Sequence, residues 1–557
     1  MTKTQKRIGF LLACIFAVFL WLRIPGLSQP YHQDEYKWAL IVAPHSPLAG
    51  TIPHPPLSEA IYDLADRVFG NAHLRFMPFF FSIANFFLIF FIARKRYGTR
   101  VALIASGLFA VSYYSILASL MVDTDGQILP CYFLIALLGY DRWLSATTTK
   151  ERRGWLAVFL GGLALGLLTK LSFVLPIATF ALDWLYQQRA RITKKMIGLV
   201  VACGVGGLLL LVGGLLLTRF VFPQFDLATK FAYWMHFVDI ASRQWLQILI
   251  ETFKAALYAS PLLIAPLFLM SRETFQRTRL FWIFLGVSAI FYLVLFDFSG
   301  GALDRYLQLV VVPFSIIAAL VYAPLWDGTW KEWRRELKIP LLVALGIYLL
   351  QWLPQAVPPL QPKTDWLGRL VSLRWNFLFP FDGGSGPLGF YVSFALIGIS
   401  FIVCLGAVMI AHKKTMWRPT MLLTILCVGL MYNVTFAREY LYGSINGNST
   451  IVLHQSLGYI SSHPEIQKVI TFNDIGAYEL MQMGKYQKRL YIDPMFEVTN
   501  FKKLNENKGY YFVENIPRIN ETSAYAKYFS SCDVVYSTES GRISGTVYDC
   551  SKAEDIK

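Results

Sequence analysis

The sequence predicts a mainly α, polytopic membrane protein: a bundle of about thirteen transmembrane helices with interfacial helices, followed by a small soluble α/β domain. Three observations carry this expectation. Of 557 residues, 55% are hydrophobic and 15% charged, whereas a soluble domain carries about 25% charged residues. Apolar runs of the length that crosses a bilayer, about 20 residues, recur through residues 1–436. They stop there, and residues 437–557 read as short strands interrupted by a helix.

The first run, MTKTQKRIGFLLACIFAVFLWL, has the basic start and apolar centre of a secretion signal. No small-x-small cleavage site follows Trp21-Leu22-Arg23, so it is read as a retained span. Further spans are expected near 75–93, 101–120, 126–144, 154–169, 172–187, 196–218, 250–270, 280–296, 307–325, 339–355, 389–411 and 419–436, the fifth and sixth dividing at Leu168-Thr169-Lys170. With the N-terminus in the cytoplasm, alternate loops carry Arg94-Lys95-Arg96, Lys150/Arg152/Arg153, Arg189/Arg191/Lys194/Lys195, Arg272/Arg277/Arg279, Lys331/Arg334/Arg335/Lys338 and Lys413/Lys414/Arg418. Basic loops stay inside, so the span count is odd and the C-terminal domain is extracytoplasmic, on an inner or plasma membrane. The formal charge of +16 is thereby a topology signal, and nothing in the sequence suggests nucleic-acid recognition.

The outer face then receives residues 26–74, 121–125, 219–249, 297–306, 356–388 and the tail from 437. Within the first, PPLSEAIYDLADRVFG sets Leu57, Ile61, Leu64 and Val68 against Glu59, Asp63, Asp66 and Arg67, the pattern of a helix lying along the membrane. The aromatic-rich segment 219–249 reads as interfacial too. In the tail, KVITFN, RLYIDP, GYYFVEN and DVVYST read as strands and DIGAYELMQMG as a helix. Its turn Thr471–Gly476 lacks a Gly-x-Gly-x-x-Gly nucleotide pattern. GGLALG and GVGGLLLLVGG lie inside spans, where glycine lets helices approach closely. Five of the seven cysteines lie in apolar segments; Cys532 and Cys550, in the tail, can pair if it faces outside. The sequence holds no HExxH, no paired CxxC and no Walker lysine motif, and its three Asn-x-Thr/Ser tripeptides, at Asn433, Asn448 and Asn520, are sequons by pattern.

Ionisable residues gather at the outer ends of the spans: Asp34 and Glu35 after the first, Asp123 and Asp125 in the hairpin after the third, Lys170 after the fifth, and Asp304-Arg305-Tyr306 after the ninth. Charge is costly near hydrocarbon, so several such groups on one leaflet point to a polar cavity. A carboxylate there can take a proton from a hydroxyl, and Arg305 and Lys170 can hold a phosphate.

An Asp-Glu pair in the first outer loop, followed by His54-Pro55-Pro56-Leu57 opening an interfacial helix, resembles the protein O-mannosyltransferases. The many spans and soluble C-terminal domain resemble the bacterial aminoarabinose transferases of lipid A. Both belong to the GT-C superfamily, which uses polyprenyl-phosphate-linked sugars. The resemblance implies a membrane glycosyltransferase that moves a sugar to an acceptor hydroxyl with inversion. It implies Asp34 as catalytic base with Glu35 as companion, Asp123 or Asp125 shaping the site or helping to bind a metal, Arg305 on the lipid phosphate with Lys170 and Tyr306 beside it, and His54 anchoring the interfacial helix. Its partners would be a polyprenyl-phosphate sugar donor, a lipid, glycan or protein acceptor, and membrane lipids. A divalent metal is a further option, since His32, Asp34, Glu35 and His54 are hard or borderline ligands in one loop, though their spacing matches no known motif.

Two departures bear on specificity. The mannosyltransferases continue His-Pro-Pro-Leu with Gly-Lys where this chain has Ser58-Glu59, and no outer loop before 437 holds a large central domain. The competing class is a lipid or glycolipid transporter, which would place ionisable residues or broken helices near the midplane.

Overall fold

The computed structural model describes residues 3–43, 54–189, 245–296, 303–327, 330–359, 363–381, 388–490, 497–516 and 518–555, with isolated positions between 190 and 244. The span at 196–218 and most of the interfacial segment 219–249 lie outside the described residues. Helices occupy the other expected spans. The first part of the chain runs α1 (Lys3–Trp21), α2 (Asp34–Val42), α3 (Pro56–Phe69), α4 (Phe76–Tyr97), α5 (Thr99–Val111), α6 (Tyr113–Leu120), α7 (Ile128–Ser145), α8 (Thr149–Thr169) and α9 (Val174–Gln188). Apolar helices follow at Trp245–Ile264, Arg279–Ala289, Val311–Tyr322, Lys338–Tyr348, Phe394–Lys413 and Arg418–Tyr442. Six helical stretches among the described residues are individually long and apolar enough to cross a bilayer, and the chain is a multi-pass membrane protein.

Two expected spans differ in form. The run 101–120 is two helices, α5 and α6, bent by 63° at Ser112. The run 389–411 opens as a strand: β2 (Phe390–Ser393) pairs antiparallel with β1 (Leu378–Phe381), and the helix begins at Phe394. A break inside a span leaves backbone groups unsatisfied where no water can serve them. Asn433 resolves the first. Its Oδ1 accepts the Tyr113 N–H at 2.6 Å, and its Nδ2 donates to Ser260 Oγ at 2.9 Å, beside the kink where Ser260 has φ 67°. The sequon pattern at Asn433 is therefore a buried staple between two broken helices, with the residue 1% exposed.

Arg23 plays a similar part at the end of α1. It is fully buried, donates to Ser119 Oγ and Ser115 Oγ at 2.9 Å each and to the Ala110 carbonyl at 2.9 Å, and lies over the Phe19 ring. One guanidinium, with five donors, thus fastens the first span to the bent pair. Helix α3 lies where the amphipathic pattern puts it, with one correction: Ile61, Tyr62 and Ala65 are buried, whereas Leu64 and Val68 are more than half exposed. Its apolar stripe is wider than the protein surface it covers, and the remainder is free to meet lipid.

In the C-terminal part, β3 (Val469–Phe472), β4 (Tyr486–Leu490), β5 (Tyr510–Glu514), β6 (Asp533–Ser540) and β7 (Ile543–Asp549) form one mixed sheet in the order β4-β3-β5-β7-β6. The strand expected at RLYIDP begins earlier, at Tyr486, just after Lys485, whose carbonyl accepts from the Val469 N–H at 2.7 Å; residues 491–494 of that expectation lie outside the described residues. Strand β7 and the helix Ser449–Ser462, which packs on β6 and β7, had no counterpart in the sequence reading. Cys532 and Cys550 are disulfide-bonded.

Candidate functional site

The domain and the Asp34 loop lie on the same side of the helical bundle, and the ionisable residues of that side converge. Each is delivered by the end of an element. Asp34 and Glu35 occupy the first turn of α2, where the helix dipole favours carboxylates. Gln33, just before them, has φ 45°, a left-handed conformation that turns the chain into the helix. Asp123 and Asp125 come from the tight hairpin between α6 and α7, in which every residue from Met121 to Ile128 is buried. Lys170 follows the last residue of α8. Asp304, Arg305 and Tyr306 form the single turn Leu303–Tyr306.

Arg305 is the centre of the constellation. Its Nη1 donates to Asp34 Oδ2 at 3.1 Å, its Nε is 3.2 Å from Asp123 Oδ2, and its Nη2 donates to Tyr306 Oη at 3.1 Å. Lys170 is paired with Asp125 and stands 4.6 Å from the centre of the Tyr306 ring. Asp304 faces away, toward Lys254 at 3.1 Å. Six of the eight residues singled out from the sequence, Asp34, Asp123, Asp125, Lys170, Arg305 and Tyr306, therefore form one connected cluster. Glu35 and His54 flank it.

Glu35 is held from three sides. Its Oε2 accepts from Arg75 at 2.7 Å and from the His32 N–H at 3.1 Å, while its Oε1 accepts from the Val122 N–H at 2.9 Å. Arg75 also donates to the Pro30 and Leu120 carbonyls. This buried pair joins α2 to the head of α4 and to the aspartate hairpin. His54 stacks on Trp38, which packs on Tyr62, whose hydroxyl donates to the Asp123 carbonyl at 2.8 Å. Among the described residues no three His, Cys, Asp or Glu side chains group as a metal site would. His32 is directed to the Asn473 carbonyl and Glu35 to Arg75, so the four loop residues do not converge.

The carboxylates differ in access. The Asp34 side chain is 33% exposed; those of Glu35, Asp123, Asp125 and Asp304 are at most 8%. Burial pushes the Asp34 carboxyl up, but Arg305 and then Lys37, 2.5 Å away, outweigh it and hold it below its ordinary value. The accessible carboxylate of the cluster is thus an ionised one.

Two cavities meet this cluster. The larger, about 460 Å³ of empty space partly open to its surroundings, is lined by Asp125 and Tyr306 at one end and by Phe133, Phe173, Phe284 and Val312 beyond. The smaller, about 200 Å³, is lined by Tyr114, Tyr258, Asp304, Arg305 and Gln308. Arg305 and Tyr306 stand between them. Arg75, Lys37, Lys254 and Gln308 were not singled out in the sequence. Lys37 was legible as an i+3 partner of Asp34; Arg75 and Lys254 acquire their partners across the fold.

The family model for dolichyl-phosphate-mannose-protein mannosyltransferases matches residues 53–213. Among solved structures, apo ArnT from Cupriavidus metallidurans matches with a TM-score of 0.54 and 15% identity, over 98% of this chain and 98% of that one. ArnT from the same organism bound to undecaprenyl phosphate matches with a TM-score of 0.52 and 15% identity, over 97% and 98%. No curated protein matches the chain in sequence. At such identity the likeness is one of fold, and the GT-C resemblance read from the first loops and the topology is borne out.

Proposed function

We propose that this protein is a membrane glycosyltransferase that moves a sugar from a polyprenyl-phosphate donor to an acceptor hydroxyl, at the membrane face that carries the C-terminal domain, which we take to be the outer one. The observation that carries the reading is the pairing of an accessible, ionised Asp34 with Arg305, which lines the smaller cavity next to Tyr306 in the larger, apolar one. The fold shared with ArnT, and the undecaprenyl phosphate bound to that protein, support the donor class.

In this reading the apolar cavity receives the first isoprene units, and Arg305, Lys170 and Tyr306 at its head take the phosphate. The sugar lies toward the smaller cavity, whose polar lining is Asp304, Gln308 and the tyrosine hydroxyls. Asp34 accepts the proton of the acceptor hydroxyl as its oxygen attacks the anomeric carbon. The bond from that carbon to the phosphate oxygen breaks, and the polyprenyl phosphate leaves with the guanidinium of Arg305 offsetting its charge. A single displacement inverts the anomeric carbon. Asp123 holds Arg305 in place during the step, and Glu35, sealed in its pair with Arg75, orients the loop.

The test is transfer by purified protein from a radiolabelled polyprenyl-phosphate sugar, with product configuration read by NMR. Retention of configuration, or no transfer by folded protein from any such donor, would refute the reading. Mass spectrometry of lipids and glycans from cells with and without the gene identifies the sugar and the acceptor.

A further inference from the structure

The C-terminal domain meets the bundle beside Asp34, in a contact that the mechanism above does not use. Its turn between β3 and the helix Ala477–Gln482 meets the residues on either side of Asp34. His32 Nε2 donates to the Asn473 carbonyl at 3.1 Å, and the rings of Tyr31 and Tyr478 lie 4.9 Å apart, edge to face. Tyr36, 6% exposed, sits against Asp474 and Tyr486, whose side chains act on its hydroxyl. Asp474 is fully buried, and its two oxygens accept from Tyr486 at 3.2 Å and Arg489 at 2.7 Å. Asn71 completes the bracket. It accepts from the Tyr478 hydroxyl at 3.0 Å and donates to the Ala39 carbonyl, inside α2, at 2.8 Å.

The backbone is strained on both sides of the contact. Five non-glycine residues have positive φ among the described residues, and three of them, Gln33, Asn473 and Asp474, meet here. Such conformations persist where the surroundings over-determine them. The Tyr486–Asp474–Arg489 bonds supply that on the domain side, and the Glu35–Arg75 pair supplies it on the bundle side.

We propose that the Asn473–Tyr478 turn is the positioning element of the Asp34 helix, with Tyr36 and Asp474 as positioning residues through which the C-terminal domain sets Asp34 against Arg305. The domain is then a part of the active site's frame. This inference rests on the reading of Asp34 as the base. Misplacement of a reacting group by about 1 Å costs up to about a hundredfold in rate, so a looser turn should be visible in turnover.

The experiment uses the full chain in nanodiscs, with Tyr36→Phe, Asp474→Asn and the double variant. Hydrogen–deuterium exchange over residues 31–42 should quicken in each, with residues 76–97 unchanged. Transfer should fall about tenfold in kcat, with KM for the donor held, because the cavities are untouched. The acid limb of the kcat profile should move up as Asp34 loosens from Arg305. The double variant should be no slower than the worse single one, since both side chains belong to one contact. Unchanged exchange over 31–42 in both single variants overturns the positioning role, as do losses in the double variant that simply add. The exchange arm needs no substrate. If Asp34→Asn transfers sugar at the full rate, the base assignment fails and exchange alone decides the role of the turn. Arg489→Gln, which leaves both Tyr36 and Asp474 in place, replaces any variant that does not fold.

Discussion

Asp34 and Glu35 are adjacent carboxylates in one helical turn, and the fold sends them into opposite environments. Asp34 stands at an opening, one-third exposed, among Arg305 and Lys37. Glu35, about 100° further round the helix, is 2% exposed and bonded to Arg75 and two backbone N–H groups. The difference teaches what each can do. A base must be reached by the acceptor and must stay ionised. A buried carboxylate with both oxygens committed cannot be reached by an acceptor, but it can fix two helices and a hairpin in register. The same division recurs between Arg305, beside the cavities, and Arg75, whose Nη atoms donate to Glu35 and to the Pro30 and Leu120 carbonyls.

The comparison can be broken most severely at its exposed half. Asp34→Asn keeps the shape and removes the base, so transfer should fall by about 10²–10⁴ in protein with an unaltered melting curve. Near-full activity would end the assignment. Arg305→Ala should cost about 10²–10³ in kcat and weaken donor binding, measured by titration with polyprenyl phosphate. An effect on neither would remove Arg305 from the phosphate site.

The buried half should respond in stability. Glu35→Ala leaves Arg75 buried without its partner, a loss of about 3–5 kcal/mol, visible as a lower Tm. Glu35→Ala combined with Arg75→Met should recover part of it, because no orphan charge remains. A normal Tm in the single variant would contradict the bracing role.

Two pH effects are smaller. Arg305 and Lys37 depress the Asp34 carboxyl, so the active, ionised form survives to pH values below the usual carboxylate range of about 3.9. Activity is lost as pH falls through that depressed value, and Lys37→Ala should move the acid limb upward. Glu479, in the helix that carries Tyr478, behaves oppositely: burial pushes it up to about 7, Arg75 working against this and Glu35 with it. A raised carboxyl disfavours the charged form, so native stability declines as pH rises from the unfolded value of about 4.3 to about 7. Glu479→Gln should flatten that decline, raising Tm at pH 8 by a few degrees and leaving it unchanged at pH 4. An equal shift at both pH values would mean that charge is not the cause.

The resemblance to the GT-C enzymes was legible because its carriers are local. Asp34-Glu35, His54-Pro55-Pro56-Leu57 and the short aspartate hairpin each lie within a few residues, and the apolar runs carry their own length. The break at Ser112 carries no local signal, whereas that at Ser260 falls just before Pro261, a helix breaker legible in the sequence; what joins the two is Asn433, some 300 and 170 residues away. The strand at Phe390–Ser393 was hidden for another reason: a fully buried strand and the end of an apolar helix have the same composition.

By itself, then, the sequence determined that the chain is a many-span membrane protein with a separate domain at its end, and which residues were available for chemistry. Hydropathy, charge placement and turn residues act over short stretches, so they can be read in order. Only the tertiary structure decided which of two neighbouring carboxylates is exposed, which cation each aspartate meets, and that a turn near residue 474 braces a helix near residue 34. Those outcomes depend on pairings across hundreds of residues, set by the packing of the helices and fixed because a buried charge must find its partner.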